Sequence, residues 1–121
     1  MNELAARDCV PCRGGVPPLP PAEQQALLVQ LGPEWRIVSG HHLERSYAFK
    51  DFASALHFVN HVGELAEQQN HHPDLHLAWG KVRVEIWTHA IDGLLEADFI
   101  LAAKCERLFA SSAGTERARH A

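Results

Sequence analysis

Residues Asn70–His89 read NHHPDLHLAWGKVRVEIWTH, and the spacing of the apolar side chains within that stretch decides the architecture. Leu75 and Leu77 alternate with polar or small residues. After Gly80-Lys81, Val82, Val84, Ile86 and Thr88 do the same, which is the period of a strand with one buried face. The stretch therefore reads as a β-hairpin: LHLAW (Leu75 to Trp79), a Gly80-Lys81 turn, and VRVEIWTH (Val82 to His89). Antiparallel pairing through such a turn sets Thr88 and His89 roughly opposite the residues before Leu75. His71, His72 and His89 are thus expected to meet.

Upstream of the hairpin, Asp51 is placed to cap a helix running to about Gln69. Phe52, Leu56, Val59, Gly63 and Ala66 form one stripe on it, and Ala55, Phe58, Val62 and Leu65 widen that stripe. Asn70 tolerates left-handed backbone and serves as its C-terminal stop. Earlier still, WRIV (Trp35 to Val38), the turn-like SGHH and LERSYAF (Leu43 to Phe49) read as a first hairpin. Ahead of it, PAEQQALLVQL (Pro21 to Leu31) has Pro at the first helical position and Glu23 in the first turn, and it is followed by Gly32 and Pro33.

Downstream of the second hairpin, a last helix is expected from about Glu96 to Leu108. Phe99, Ala102 and Ala103 would turn inward, and Glu96 and Asp98 would stand where the helix dipole favours acids. These elements make one domain over residues 21–109, between an extended Pro/Gly-rich arm (1–20) and a flexible tail (110–121). The expected fold class is α+β: two layers, in the order α-β-β-α-β-β-α, with a four-stranded antiparallel sheet and three helices on one face. The other face and the sheet edges are left to polar side chains, the arm or another subunit.

Composition limits the function. With 121 residues the chain suits one compact core, and its 46% hydrophobic and 21% charged content is that of an ordinary globular protein. A formal charge of −4 gives no electrostatic reason to expect a nucleic-acid partner. MNELAARDC lacks an apolar h-region, and no run approaches the roughly 18 apolar residues of a membrane span. A cytoplasmic location is expected, and the three cysteines, Cys9, Cys12 and Cys105, are too few for a disulfide framework.

The chain holds nine histidines, and their placement separates them. His41-His42 falls in a hairpin turn and reads as a solvated pair. His57 and His61 lie four apart on a helix and read as surface or interface residues. His71 and His72 are different, because Pro73 restricts the backbone of His72 to extended geometry and the side chains are held. Two chemistries are open to His71, His72, His76 and His89. As metal ligands they lack a partner cluster, since the CVPC of Cys9–Cys12 has no second CxxC, and neighbouring residues of an extended backbone point to opposite sides. As acid–base groups they need only imidazoles that donate and accept near neutrality, which suits a reaction moving two protons, such as a dehydration. Glu67, one helical turn before His71, could orient an imidazole or face solvent; Asp98 reads first as a helix-start residue; Trp35 and Trp79 read as core or cleft wall.

Taken together, AFKDFASALHFVNHVGELAE, EQQNHHPDLHLAW and GKVRVEIWTHAIDGLLEADFILAAK resemble the pterin-4a-carbinolamine dehydratases over about Leu27 to Leu108. The resemblance rests on Glu67, the HHP element (His71, His72, Pro73), Trp79, the TH pair (Thr88, His89), Gly93 and Asp98 in order. It implies the same α-β-β-α-β-β-α fold, assembled into homodimers or homotetramers. It implies a hydro-lyase that dehydrates 4a-hydroxytetrahydropterin to quinonoid dihydropterin and water with no metal or bound cofactor, recycling the pterin of an aromatic amino acid hydroxylase. The catalytic histidines fall on His71, His72 and His89, with Glu67, Trp35 and Asp98 binding or orienting. Asn70 and Ala97 depart from residues found in some members. The family also contains non-catalytic dimerisation and assembly factors, the competing expectation.

Overall fold

The computed structural model describes residues 3–10 and 14–120, with side chains described as far as Ser111. Cys12 lies outside the described residues. A 3-10 helix at Glu3–Ala6 precedes α1 (Pro21–Leu31), β1 (Arg36–Val38), β2 (His42–Ala48), α2 (Phe52–Gln69), β3 (Asp74–Ala78), β4 (Lys81–Ile86) and α3 (Glu96–His120). The four strands form one sheet in the order β1-β2-β4-β3, with every neighbouring pair antiparallel. This is the expected α+β arrangement.

The alternation along the strands sorts their side chains. Leu43 and Tyr47 on β2 and Val82, Val84 and Ile86 on β4 are fully buried, and the register sets Leu43 opposite Ile86 and Tyr47 opposite Val82. Phe58 and Val62 of α2 and Phe99, Leu101 and Ala102 of α3 close over this face. The opposite face carries His42, Glu44, Arg83, Glu85 and His76. The core contact of α2 is made by Ala55, Phe58, Val62 and Ala66, whereas Phe52 and Leu56, at the start of the expected stripe, are 44% and 39% exposed. Only one side of a helix this apolar can rest on the sheet, so Phe52 and Leu56 are left outside while Val59 and Ala66 of the same stripe still reach the core.

The first hairpin closes with Val38 paired to His42, its turn carried by Ser39 and Gly40 at φ 54° and 66°. The second turns at Trp79-Gly80, one residue earlier than expected, with Ala78 paired to Lys81. Gly80 sets that position: its carbonyl accepts from the Phe49 N–H at 2.8 Å, and a Cβ there would stand 2.9 Å from the Phe49 carbonyl oxygen. Trp79, expected in the core or a cleft wall, is consequently 68% exposed at the turn.

Two further differences concern the ends. Leu4 and Ala5 are buried, so Glu3–Ala6 of the arm is a short helix docked in the core despite the many prolines that follow. α3 continues well past Leu108, through a segment that contains no proline to stop it.

Candidate active site at the end of the second hairpin

The C-terminus of α2 delivers the first histidines. Asn70 adopts left-handed backbone at φ 52° and ψ 41°, its N–H donates to the Glu67 carbonyl, and the His71 N–H donates to the Ala66 carbonyl. These bonds close the helix as a Schellman motif and turn the chain sharply into His71 and His72 before β3 begins.

The third histidine comes from the loop after β4. Thr88 and Gly93 exchange backbone hydrogen bonds, which closes a short loop containing His89. Pairing of Asp74 with Glu85 brings this loop to the start of β3. Asn70, His71, His72, Trp87, Thr88, His89 and Ala90 line one cleft of about 260 Å³. The expectation that His71, His72 and His89 come together on one site is met in position.

The three imidazoles are held differently. His71, with its side chain only 12% exposed, places Nε2 2.6 Å from Oδ1 of the fully buried Asp98. The other carboxylate oxygen of Asp98 accepts from the Thr88 hydroxyl at 2.7 Å and from the Leu95 N–H at 2.8 Å. Asp98 is therefore both things the sequence allowed: it satisfies an N–H at the start of α3 and it anchors a histidine. His72 Nε2 lies 2.6 Å from Glu67 Oε2, but this pair is 54% and 78% exposed and is only weakly fixed. Glu67 thus orients His72 rather than His71. His89 stacks on Trp87, with ring centroids 4.3 Å apart and planes 17° apart.

Trp35 is not among the residues of this cleft. Its indole is buried, packs edge-on against Tyr47 and donates to Glu106 Oε2 at 2.9 Å, on the far side of the core. Nor does His76 join the other histidines; it sits on the outer sheet face 3.3 Å from Glu85 Oε1. The metal reading of His71, His72, His76 and His89 thus loses one of its four ligands.

Trp87 is the contributor that sequence reasoning missed. Its ring also contacts His41 and His42 at centroid distances of 5.1 and 5.8 Å, so the turn pair read as solvated belongs to the wall behind His89. The signal was available in the strand period, since Trp87 and His89 are two apart and share a side of the chain.

What this cleft offers chemically is an anchored imidazole, two more accessible ones, and aromatic and amide surface around them. That set can donate a proton at one point of a small ligand and accept one at another.

The family model described as pterin 4 alpha carbinolamine dehydratase matches residues 17–108. A relative from Rubrobacter xylanophilus, provisionally named a pterin-4-alpha-carbinolamine dehydratase, is 56% identical over 108 residues, covering 89% of this chain and 100% of its own. One from Alkaliphilus metalliredigens with the same provisional name is 49% identical, covering 88% and 96%. Among solved structures, a transcriptional coactivator/pterin dehydratase from Brucella melitensis superposes with a TM-score of 0.71 at 32% identity, covering 76% of this chain and 98% of that one. A pterin dehydratase-like RuBisCO assembly factor of the alpha-carboxysome shares the fold, with a TM-score of 0.54 at 23% identity, covering 64% and 92%.

Proposed function

The chain belongs to the pterin 4 alpha carbinolamine dehydratase family, and from that premise we propose that it dehydrates a 4a-hydroxytetrahydropterin to the quinonoid dihydropterin and water by histidine acid–base catalysis. The observation that carries this reading is the convergence of His71, His72 and His89 on one cleft, with His71 fastened to the buried Asp98.

The reaction breaks the C4a–O bond of the substrate. A protonated imidazole gives its proton to the departing hydroxyl, which leaves as water, and a neutral imidazole takes the proton lost from a ring nitrogen. His72 and His89 are assigned to these transfers, being the accessible pair. His71 binds and orients the pterin: its Nε2 is engaged by Asp98, which leaves Nδ1 for the ligand. Each well-placed transfer contributes about 10²–10⁴ in rate. In the cell this activity would return the spent pterin of a hydroxylase to its redox cycle.

Among the described residues no helix is long and apolar enough to cross a membrane, in keeping with the cytoplasmic location we propose. The exposed Phe52 and Leu56 on α2 support a homodimer or homotetramer that covers them.

The test is to generate the 4a-carbinolamine with a pterin-dependent hydroxylase and to follow its ultraviolet absorbance decay with and without this protein. Decay should accelerate, and His72→Ala or His89→Ala should remove about 10²–10⁴ of that acceleration while leaving the circular dichroism unchanged. Decay at the spontaneous rate would favour a non-catalytic assembly role on the same fold, and unchanged turnover in both variants would overturn the assignment of the histidines.

A further inference from the structure

On the sheet face turned away from the helices, His42, Glu44 and Glu85 bring one ligand atom each to within 4.8 Å of one another. Glu44 and Glu85 are directly opposed on β2 and β4, and His42 precedes Glu44 by one step of the strand period. All three are well shielded for an outer face, with side chains 18%, 15% and 18% exposed. Like charges directly opposed across two strands are destabilising, and here an arginine offsets one oxygen of each, Arg36 on Glu44 and Arg83 on Glu85.

The hydrogen bonds around the group orient it. Arg36 holds Glu44 by Oε2 at 2.6 Å, leaving Oε1, which lies 3.7 Å from His42 Nε2. Arg83 Nε holds Glu85 by Oε2 at 3.0 Å. Behind His42 runs a second chain of contacts: its Nδ1 meets His41 Nδ1 at 3.0 Å, and His41 Nε2 meets Asp92 Oδ1 at 2.7 Å. The Asp92 carboxylate can only accept, so His41 carries its proton on Nε2 and a neutral His41 presents a bare Nδ1. His42 must then donate from Nδ1, which leaves a neutral His42 with a bare Nε2 pointing at two carboxylates. His42 Nε2 and Glu44 Oε1 thus face each other with lone pairs, while Glu85 Oε1 is met by His76 Nε2 at 3.3 Å. A histidine oriented through one nitrogen, here by His41, with the other nitrogen bare is also how proteins present imidazole to a metal.

We propose that His42 Nε2, Glu44 and Glu85 form a binding site for a divalent transition-metal ion of the zinc class, separate from the histidine cleft. One imidazole with two carboxylates is a donor set that such ions accept. Ligands about 2.0–2.2 Å from a tetrahedral ion lie about 3.4 Å apart. The 3.7 Å from His42 to Glu44 is near that, and small rotamer changes bring in Glu85. His76 Nε2, 3.3 Å from Glu85 Oε1, stands next to the group as a further donor. The ion would join β2 to β4 and would fix His42 against Trp87, the ring on which His89 stacks.

The full chain, stripped with a chelator, would be titrated with zinc chloride at pH 7.5 against a chromophoric chelator, and the retained metal measured after gel filtration. One equivalent of zinc should be retained, and His42→Ala and Glu85→Gln should each weaken binding at least tenfold. His71→Ala and His57→Ala, which alter the other histidine groups, should leave it unchanged. Glu85→Gln is nearly isosteric and keeps the test open should His42→Ala disturb the fold. If zinc fails to bind, or binds undiminished in both site variants, the proposal is overturned and Arg36 and Arg83 are the cations that hold the two carboxylates.

Discussion

Asp98 shows how one side chain carries two duties. A carboxylate with no exposed surface is costly to bury unless its lone pairs are used, and here they accept from His71, Thr88 and the Leu95 N–H. Asp98→Asn keeps the size but replaces one acceptor oxygen with an amide that can only donate, so one of these donors loses its partner. We expect turnover to fall about 10–100-fold, the usual cost of losing a group that orients a functional histidine. Thr88→Val, which removes one hydrogen bond and leaves the carboxylate, should cost less. Steady-state kinetics on the pair measures this, and an Asp98→Asn enzyme with normal turnover would show that His71 needs no anchor. Trp87 acts on His89 by a flat stack instead of a hydrogen bond, so Trp87→Ala should alter the pH profile of turnover more than Trp87→Phe, which retains a ring.

At the level of elements, the ends of α2 matter most. Asp51 accepts from the Ser54 N–H at 2.8 Å, and that bond, with help from the Ser54 hydroxyl and Lys50, holds its carboxyl down to about 2. A depressed carboxyl stabilises the fold above its unfolded value of 3.8 and loses that contribution as pH falls towards 2. The stability advantage of the wild type over Asp51→Asn, read from urea midpoints, should therefore shrink across that interval. At the other end Asn70 occupies left-handed backbone. Asn70→Gly should be nearly neutral to stability, whereas Asn70→Val, a branched residue at positive φ, should cost about 1–2 kcal/mol. Both helix ends were legible in the sequence because capping depends on single residues at fixed positions. The hairpin turn was placed one residue late because its position is decided by Gly80 meeting the Phe49 carbonyl, a contact between segments far apart in the chain. Trp35 misled for a related reason: an aromatic beside a strand announces burial, but its hydrogen bond to Glu106 chooses the core over the cleft.

For the molecule as a whole, period and punctuation in the sequence were enough for the element order and the convergence of three histidines, while contacts that join distant segments were not visible. The N-terminus is the largest case. Proline and glycine density pointed to an arm outside the domain, yet Leu4 is fully buried in the main cluster, and the Ala5 carbonyl accepts from Lys104 Nζ of α3 at 2.9 Å. Arg7 pairs with Glu96 at the start of the same helix, and the Cys9 N–H donates to Gln69 at 2.8 Å near the end of α2. Burial pushes the Cys9 thiol up to about 11, so it is protonated at neutral pH and a poor nucleophile. These contacts join the start of the chain to both helices that frame the histidine cleft. If the segment is part of the core, Leu4→Ala should cost about 2–5 kcal/mol, as deletion of a buried leucine does elsewhere, and should lower the midpoint of a single cooperative urea transition. Were the segment a mere appendage, the midpoint would not move, because a side chain that covers nothing leaves no cavity when it is cut back. Because Leu4 packs beside α3, whose first turn supplies Asp98, the same variant should also raise hydrogen exchange at the start of that helix before the sheet is affected.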